Sequence, residues 1–240
     1  MVIPCFNESQ RLQKNYWDFL IGADKTIRWY FVDDGSTDST YEQLKEFNAN
    51  ATVIRLDQNG GKGEAIRIGL LKAQNDFPQI RNIGYVDADM AFNREEVLDF
   101  CRMSIEKIKA EGIDAVIASR VKLAGRNIER SNFRHFFARV IATILGGFWK
   151  EIPYDTQCGL KVFGNTESLR KSLSHPFLTR WIFDIELFMR IIKEKKGALA
   201  LFEQPLYYWR EIGDSKIMGM EYWRIARELV LVLRLVRRVL

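Results

Sequence analysis

Asp87-Ala88-Asp89 closes the apolar run Ile83-Gly84-Tyr85-Val86 and sets two carboxylates one residue apart. A strand that delivers both to its C-terminal tip makes a small site of hard oxygens, suited to Mg²⁺ or Mn²⁺ shared with a diphosphate. Ala88 between them leaves room for a bulky ligand. Paired acids at strand ends also serve as solvated turn residues, so the metal needs support from other loops. Two more loops are built alike, Pro4-Cys5-Phe6-Asn7-Glu8 and Asp33-Asp34-Gly35-Ser36-Thr37. The first supplies an aromatic and an acid, the second an acid pair beside a flexible Gly. A stacking surface, acceptors for base or ribose donors and a cation together suit a nucleoside diphosphate. Phe6 could equally be a core side chain, and the Asp33-Asp34 loop is also a capped turn opening the next helix.

Asn59-Gly60-Gly61-Lys62-Gly63 opens a further helix. It is not a P-loop, because Glu64 stands where Lys-Ser/Thr would follow the last Gly, and it lacks the dinucleotide-binding spacing. Its backbone N–H groups and Lys62 can still meet an anion at a helix N-terminus. A Gly-rich turn with a solvated Lys is the alternative.

The elements that must hold these loops alternate. Met1–Pro4 looks like the tail of a buried strand, short enough to suggest that residues precede it. Further strands are expected at 27–32, 52–56, 83–86 and 114–119, with helices at 10–21, 39–47, 63–74 and 94–110 between them. Asp38 or Ser39 is placed to cap the second helix and Asn93 the fourth. Such alternation implies βαβ units and a mostly parallel sheet, with ligands at the carboxyl ends of the strands. The second half is less regular: strands at 158–163 and 198–202, a helix at 182–192, and amphipathic segments at 132–148 and 222–239. With no repeat, low-complexity run or linker, one domain over 1–240 is the expectation, its nucleotide-binding part about 1–120 and its acceptor- and membrane-facing part about 121–240.

The bulk properties agree. A chain of 240 residues that is 47% hydrophobic and 28% charged builds one substantial core. Its net charge of +5 is unevenly spread. Residues 120–139 hold Arg120, Lys122, Arg126, Arg130, Arg134 and Arg139 against Glu129, and the last twenty are rich in Arg, which suggests anionic partners. Cys5, Cys101 and Cys158 follow no pairing pattern and read as reduced core thiols of a cytoplasmic protein. His135 and His175 are too few for a zinc site or a Ser-His-Asp triad. No signal peptide is visible. The longest apolar run, 140–149, is well short of the ~18 residues of a spanning helix, so the chain is expected to lie on a membrane at most. The C-terminal segment sets Arg224, Arg227, Arg234 and Arg238 on one face and Leu229, Leu233 and Val236 largely opposite. That apolar face can sit in a membrane interface, pack on the domain or meet a second copy of the chain. No base-reading motif accompanies the basic residues, so nucleic acid is not an expected partner.

Val2–Glu8, Val32–Asp38, Asn59–Gly63 and Asp87–Asp89, in this order and spacing, resemble the family-2 glycosyltransferases of the GT-A fold. Asp155–Phe163, Arg180–Leu187 and Trp209–Lys216 narrow the likeness to the dolichyl-phosphate glucosyltransferase branch. The resemblance covers nearly the whole chain. It implies a hexosyltransferase that takes a nucleotide sugar, UDP-glucose or a close relative, as donor and a polyprenyl phosphate as acceptor. It implies donor contacts at Pro4, Phe6, Glu8, Phe31, Asp33, Asp87, Ala88 and Asp89, with Asp87 and Asp89 binding the metal and Asp89 its main ligand; Asp34 and Lys62 join these donor-binding candidates from the loop readings above. It also implies phosphate contacts at Arg120, Arg210 and Lys216. The mannosyl branch carries a metal-binding Gln where this chain has Ala91, which favours the glucosyl branch and leaves one coordination place to water.

Chemically, sugar transfer builds negative charge on the leaving diphosphate, where a cation and fixed donors must be aimed. Gly213 beside Asp214-Ser215 gives the loop that carries Lys216 the freedom of a lid. An acceptor phosphate, with a second pKa near ~6, is already nucleophilic at neutral pH. Asp184, where related enzymes carry a base, then either orients the sugar or acceptor or simply caps its helix. Arg126, Arg130, Arg134 and Ser215 are expected to meet the acceptor phosphate at the bilayer surface. Rival expectations are an enzyme of the same fold with a soluble acceptor, in which Asp184 is a true base, and a non-catalytic nucleotide-sugar-binding protein on a membrane.

Overall fold

The computed structural model describes residues 1–47, 51–129, 132–212 and 221–240, with the backbone alone for 132–138 and 221–226. Its elements run in the order β1 (Val2–Cys5), α1 (Lys14–Ala23), β2 (Trp29–Asp33), α2 (Thr40–Leu44), β3 (Ala51–Arg55), α3 (Lys62–Asp76), β4 (Asn82–Val86), α4 (Arg94–Glu111) and β5 (Ala115–Ser119). They continue with β6 (Asn127–Glu129), α5 (Asn132–Gly146), β7 (Leu160–Gly164), α6 (Glu167–Ser172), α7 (Phe183–Lys195), β8 (Leu201–Pro205), β9 (Tyr208–Arg210) and α8 (Glu221–Val239).

Seven strands form one sheet in the order β3-β2-β1-β4-β7-β5-β8. β1 pairs parallel with β2 and β4, β2 with β3, and β5 with β8. β7 alone runs against its neighbours, opposing Val86 with Leu160 on one side and Val116 with Val162 on the other. Because strand residues alternate in facing, the sheet buries a core on each side. Val2, Tyr30, Val32 and Ile117 face one cluster, filled by α3, α7 and the later helices. Ile3, Trp29, Phe31 and Val116 face the other, filled by α1 and α4. Each buried aliphatic side chain contributes roughly 1.5–3 kcal/mol, which is why these strands tolerate almost no polar residue.

Local chemistry sets the helix ends. Asn93 caps α4 by accepting the Glu96 N–H at 3.1 Å, and Gly112 closes that helix in the left-handed region. For α2, Ser39 stands at the cap position without a side-chain cap bond, while Asp38 accepts the Thr40 N–H at 2.9 Å. α1 begins at Lys14 rather than 10, because Arg11 and Leu12 donate back to the Glu8 carbonyl in a turn. Short β6 and β9, unexpected from the sequence, make a separate two-stranded sheet, and Trp209 bridges to Phe92.

The amphipathic C-terminal helix spends its apolar face on the domain. Val232 and Val236 are fully buried and Leu229 and Leu233 pack beside them, while Arg227, Arg234, Arg237 and Arg238 are exposed. The side chain of Arg224 lies outside the described residues. No helix among the described residues is long and apolar enough to cross a membrane.

Candidate active site

The tips of β1, β2 and β4 lie at one edge of the sheet, and backbone and side-chain bonds lace them together. The Asp34 N–H donates to the Cys5 carbonyl at 2.8 Å, and the Asn7 N–H to Ser36 Oγ at 3.0 Å. Asn7 holds a left-handed φ of 49° and returns its side-chain oxygen to the Thr37 N–H at 2.9 Å. Glu8 donates its N–H to Thr40 Oγ1 at 2.8 Å, and its carboxylate pairs with Arg11 at 2.8 Å. Asp33 is wholly buried; one oxygen accepts the Ser36 N–H at 3.1 Å and the other lies 3.5 Å from Arg55 Nε. Asp34 reaches the glycine-rich loop, accepting the N–H groups of Gly60 and Gly61, each at 2.8 Å. The acid pair is therefore a brace between loops.

That loop delivers Lys62 to the other carboxylates. Lys62 Nζ lies 2.6 Å from Asp87. Burial works against the ammonium charge, but Asp87, Asp184 and Asp89 outweigh it and raise the Lys62 pKa. Asp89 stays short of positive charge all the same. Burial, then the neighbouring Asp87, raise its pKa to about 6. Met90 directly after it holds a left-handed φ of 56°, an uncommon strain for a non-glycine residue. Among the described residues no three metal-ligating side chains gather in one place. Two crowded carboxylates fit a hard divalent ion that draws its other ligands from phosphate and water.

The later chain closes over this site. β7 enters through Gly159, whose carbonyl accepts the Asp87 N–H at 2.9 Å. Next along β7, Lys161 is fully buried and donates to the Cys158 carbonyl and to Asp184, each at 2.6 Å. The Tyr85 hydroxyl donates to the same Asp184 oxygen. β9 runs beside the paired acids, and the Arg210 N–H donates to the Ala91 carbonyl at 3.0 Å.

Several expected residues sit differently from their sequence reading. Phe31 belongs to the core, edge-on to Trp17 at 5.2 Å and beside Phe47, because inward residues of a central strand face a helix. Ala88 also points into that core, so its side chain opens no space for a ligand. Arg120 spends its guanidinium edge on Asp155, with bonds of 2.7 and 2.8 Å, and its face on Trp209. Asp184 does not cap α7. It lies in the first turn, Ile182 holds the cap position, and Glu228 of α8 accepts the loop N–H groups there. Pro4 pairs across to Val32 within β1, and Phe6 is half-buried at the loop that follows. Arg126 stacks on Tyr207, 3.2 Å from the ring centre, and Arg210 lies 3.3 Å from Glu129 on the exposed small sheet. Arg130, Ser215 and Lys216, with Gly213 and Asp214, lie outside the described residues, as does the side chain of Arg134.

Gly159, Lys161, Arg180 and Glu228 have no role in the sequence reading, yet the structure brings them to the site or its supports. A lysine inside the apolar stretch Cys158–Phe163 was a visible signal, since a buried ammonium demands a carboxylate. The three cysteines are buried and form no disulfide; burial pushes Cys101 and Cys158 up to about 12.

A mostly parallel sheet with one reversed strand, flanking helices and paired acids at a strand tip define the GT-A class of glycosyltransferase. Residues 1–173 match glycosyl transferase family 2, and the chain belongs to that family. It is 28% identical to the dolichyl-phosphate beta-glucosyltransferase of Saccharomyces cerevisiae over 97% of this chain and 73% of that protein. The Drosophila melanogaster enzyme of the same name is 29% identical with the same coverage. Among solved structures, glucosyl-3-phosphoglycerate synthase from Mycobacterium tuberculosis with Mn²⁺, uridine diphosphate and phosphoglyceric acid superposes with a TM-score of 0.65. It is 18% identical over 97% of this chain and 75% of that one.

Proposed function

We propose that this glycosyltransferase moves glucose from UDP-glucose onto a polyprenyl phosphate of the dolichyl type, at the cytoplasmic face of a membrane, with Mg²⁺ or Mn²⁺. The observation that carries the reading is the meeting of Lys62 with Asp87, at 2.6 Å, and the neighbouring Asp89 where four loops converge. The names of the two sequence relatives support the lipid acceptor and the sugar, and the ligands of the structural neighbour support the nucleotide and the metal.

On this reading Asp87 and Asp89 hold the cation, which offsets charge on the departing diphosphate. Lys62 orients Asp87 and adds positive charge beside it. The first two loops, through Phe6, Glu8, Asp33 and Asp34, shape the nucleoside end, and Arg210 with Lys216 serve the phosphates. An acceptor phosphate oxygen attacks the anomeric carbon as the bond to the diphosphate breaks, so the configuration inverts. Asp184, already holding Lys161 and the Tyr85 hydroxyl on one oxygen, orients a reactant and removes no proton. Arg126, Arg130, Arg134 and Ser215 receive the acceptor phosphate. The membrane face is the α5–α8 edge, where exposed Ile144 and Phe148 adjoin Arg237, which lies 4.7 Å from the Phe148 ring.

Incubating the enzyme with membranes and radiolabelled UDP-glucose or GDP-mannose tests this. Label should enter the organic phase from UDP-glucose alone, vanish with a chelator and return with Mn²⁺. Label confined to water-soluble product, or a product with retained configuration, would contradict the proposal.

A further inference from the structure

Five consecutive backbone N–H groups, Leu178 to Ile182, end on two carboxylates. Glu186 accepts from Leu178 at 3.0 Å and from Thr179 at 2.9 Å, and also takes the Thr179 hydroxyl at 2.8 Å. Glu228 reaches in from α8 and accepts from Arg180, Trp181 and Ile182 at 2.9, 2.9 and 3.2 Å. Both glutamates are buried, and Arg190 balances Glu186 at 2.6 Å. A turn whose donors all end on charged acceptors is fixed in shape.

What this turn presents is Arg180. Its side chain is exposed and crosses the glycine-rich loop so closely that a Cβ on Gly61 would lie 2.7 Å from its Nε. One nitrogen donates to the carbonyl and side-chain oxygens of Asn59. Among the described residues no carboxylate is ion-paired with it, and nearby Asp34 is occupied by Gly60 and Gly61. Lys62 follows Gly61 directly, so two cations flank the first turn of α3. A solvated arginine requires no such buried scaffold.

We infer that Arg180 is a phosphate-binding residue of the transfer site, with Glu186 and Glu228 as its positioning residues. The inference rests on the glycosyl-transfer reading above. Its ligand is a phosphate oxyanion, from either the donor diphosphate or the acceptor phosphate, gripped by the planar fork that lysine lacks.

Arg180→Ala, Arg180→Lys, Glu228→Gln and Asp89→Asn are to be compared with the unaltered enzyme. The measurements are UDP affinity by calorimetry with Mn²⁺, KM for UDP-glucose and for polyprenyl phosphate, kcat, and thermal melting. Arg180→Ala should lower kcat/KM about tenfold or more while melting is little changed, and Arg180→Lys should restore only part. Weakened UDP affinity assigns Arg180 to the donor; unchanged UDP affinity with a raised acceptor KM assigns it to the acceptor. Glu228→Gln should move the same KM as Arg180→Ala. If it moves melting alone, Glu228 is not a positioning residue. Unchanged UDP affinity, KM and kcat in Arg180→Ala would overturn the inference, and if Asp89→Asn still abolishes transfer, the transfer reading survives it. An unaltered enzyme that neither binds UDP nor transfers glucose removes both.

Discussion

The Asp87 carboxylate occupies the space that a side chain on Gly159 would need, while the two residues share a backbone hydrogen bond of 2.9 Å. The reversed strand thus approaches the paired acids through a glycine and fixes the first of them from above.

Replacing Gly159 by Ala should therefore turn the carboxylate away without unfolding the sheet, since a carboxylate is a movable end. The expected result is a nearly unchanged melting temperature with a loss of roughly 100-fold in Mn²⁺-dependent UDP affinity. Calorimetry on the variant checks it, and wild-type affinity would show that Asp87 does not serve the metal.

Lys161 and Asp184 form a buried ion pair, at 0% and 4% side-chain exposure. Removing one partner strands the other. Lys161→Met should cost about 3–5 kcal/mol in urea denaturation, and the Lys161→Met, Asp184→Leu double variant clearly less than the two single costs summed. Additive costs would mean that the two charges do not depend on each other.

Arg120 and Arg210 separate on the same logic. Arg120→Ala leaves buried Asp155 without its bidentate partner and should lose about 3 kcal/mol or more of stability. Arg210→Ala breaks only an exposed pair with Glu129, so stability should change by about 1 kcal/mol at most. Its effect should fall on the donor KM. Denaturation curves and KM values for both variants distinguish an arginine that holds the fold from one that serves the reaction.

Asp38 supplies a pH signature. Burial opposes its charge, but bonds from the Ser9 and Thr40 hydroxyls and backbone outweigh this and hold its pKa at about 2, below the ordinary 3.8. A carboxyl depressed on folding stabilises fully above the unfolded value, loses that contribution as pH falls toward the folded one, and adds nothing below both. The melting difference between the unaltered enzyme and Asp38→Asn should accordingly be constant above pH 5 and shrink from about pH 4 to 2. A difference independent of pH would contradict the assignment.

The alternating frame was legible in the sequence, because apolar runs such as Ile83–Val86 end in acids or glycines where strands must stop. Asn93 and the glycine-rich loop likewise announced helix starts. The facing of Phe31 and Ala88 was not legible, since period-two alternation names two faces, helices cover both, and the pattern does not mark which residues turn away from the site. Three-residue β6 and β9 carry no pattern of their own and exist because distant segments pair. The amphipathicity of α8 was visible, but only the packed structure shows that Val232 and Val236 spend it on the core. Arg120 and Arg210 looked alike in sequence; Asp155, thirty-five residues along the chain, sets them apart.

β7 fills the slot between β4 and β5 although both are synthesised before it. While a ribosome is still making residues 121–159, those two strands have no neighbour to join them, and each exposes unpaired amides along an apolar edge. Residues 1–120 therefore cannot finish folding as an autonomous unit. A fragment ending near residue 120 would leave the ribosome with one side of β4 and both sides of β5 unpaired and would self-associate, whereas a chain extended past Gly164 closes the seam between them and one extended past Pro205 also covers the far side of β5.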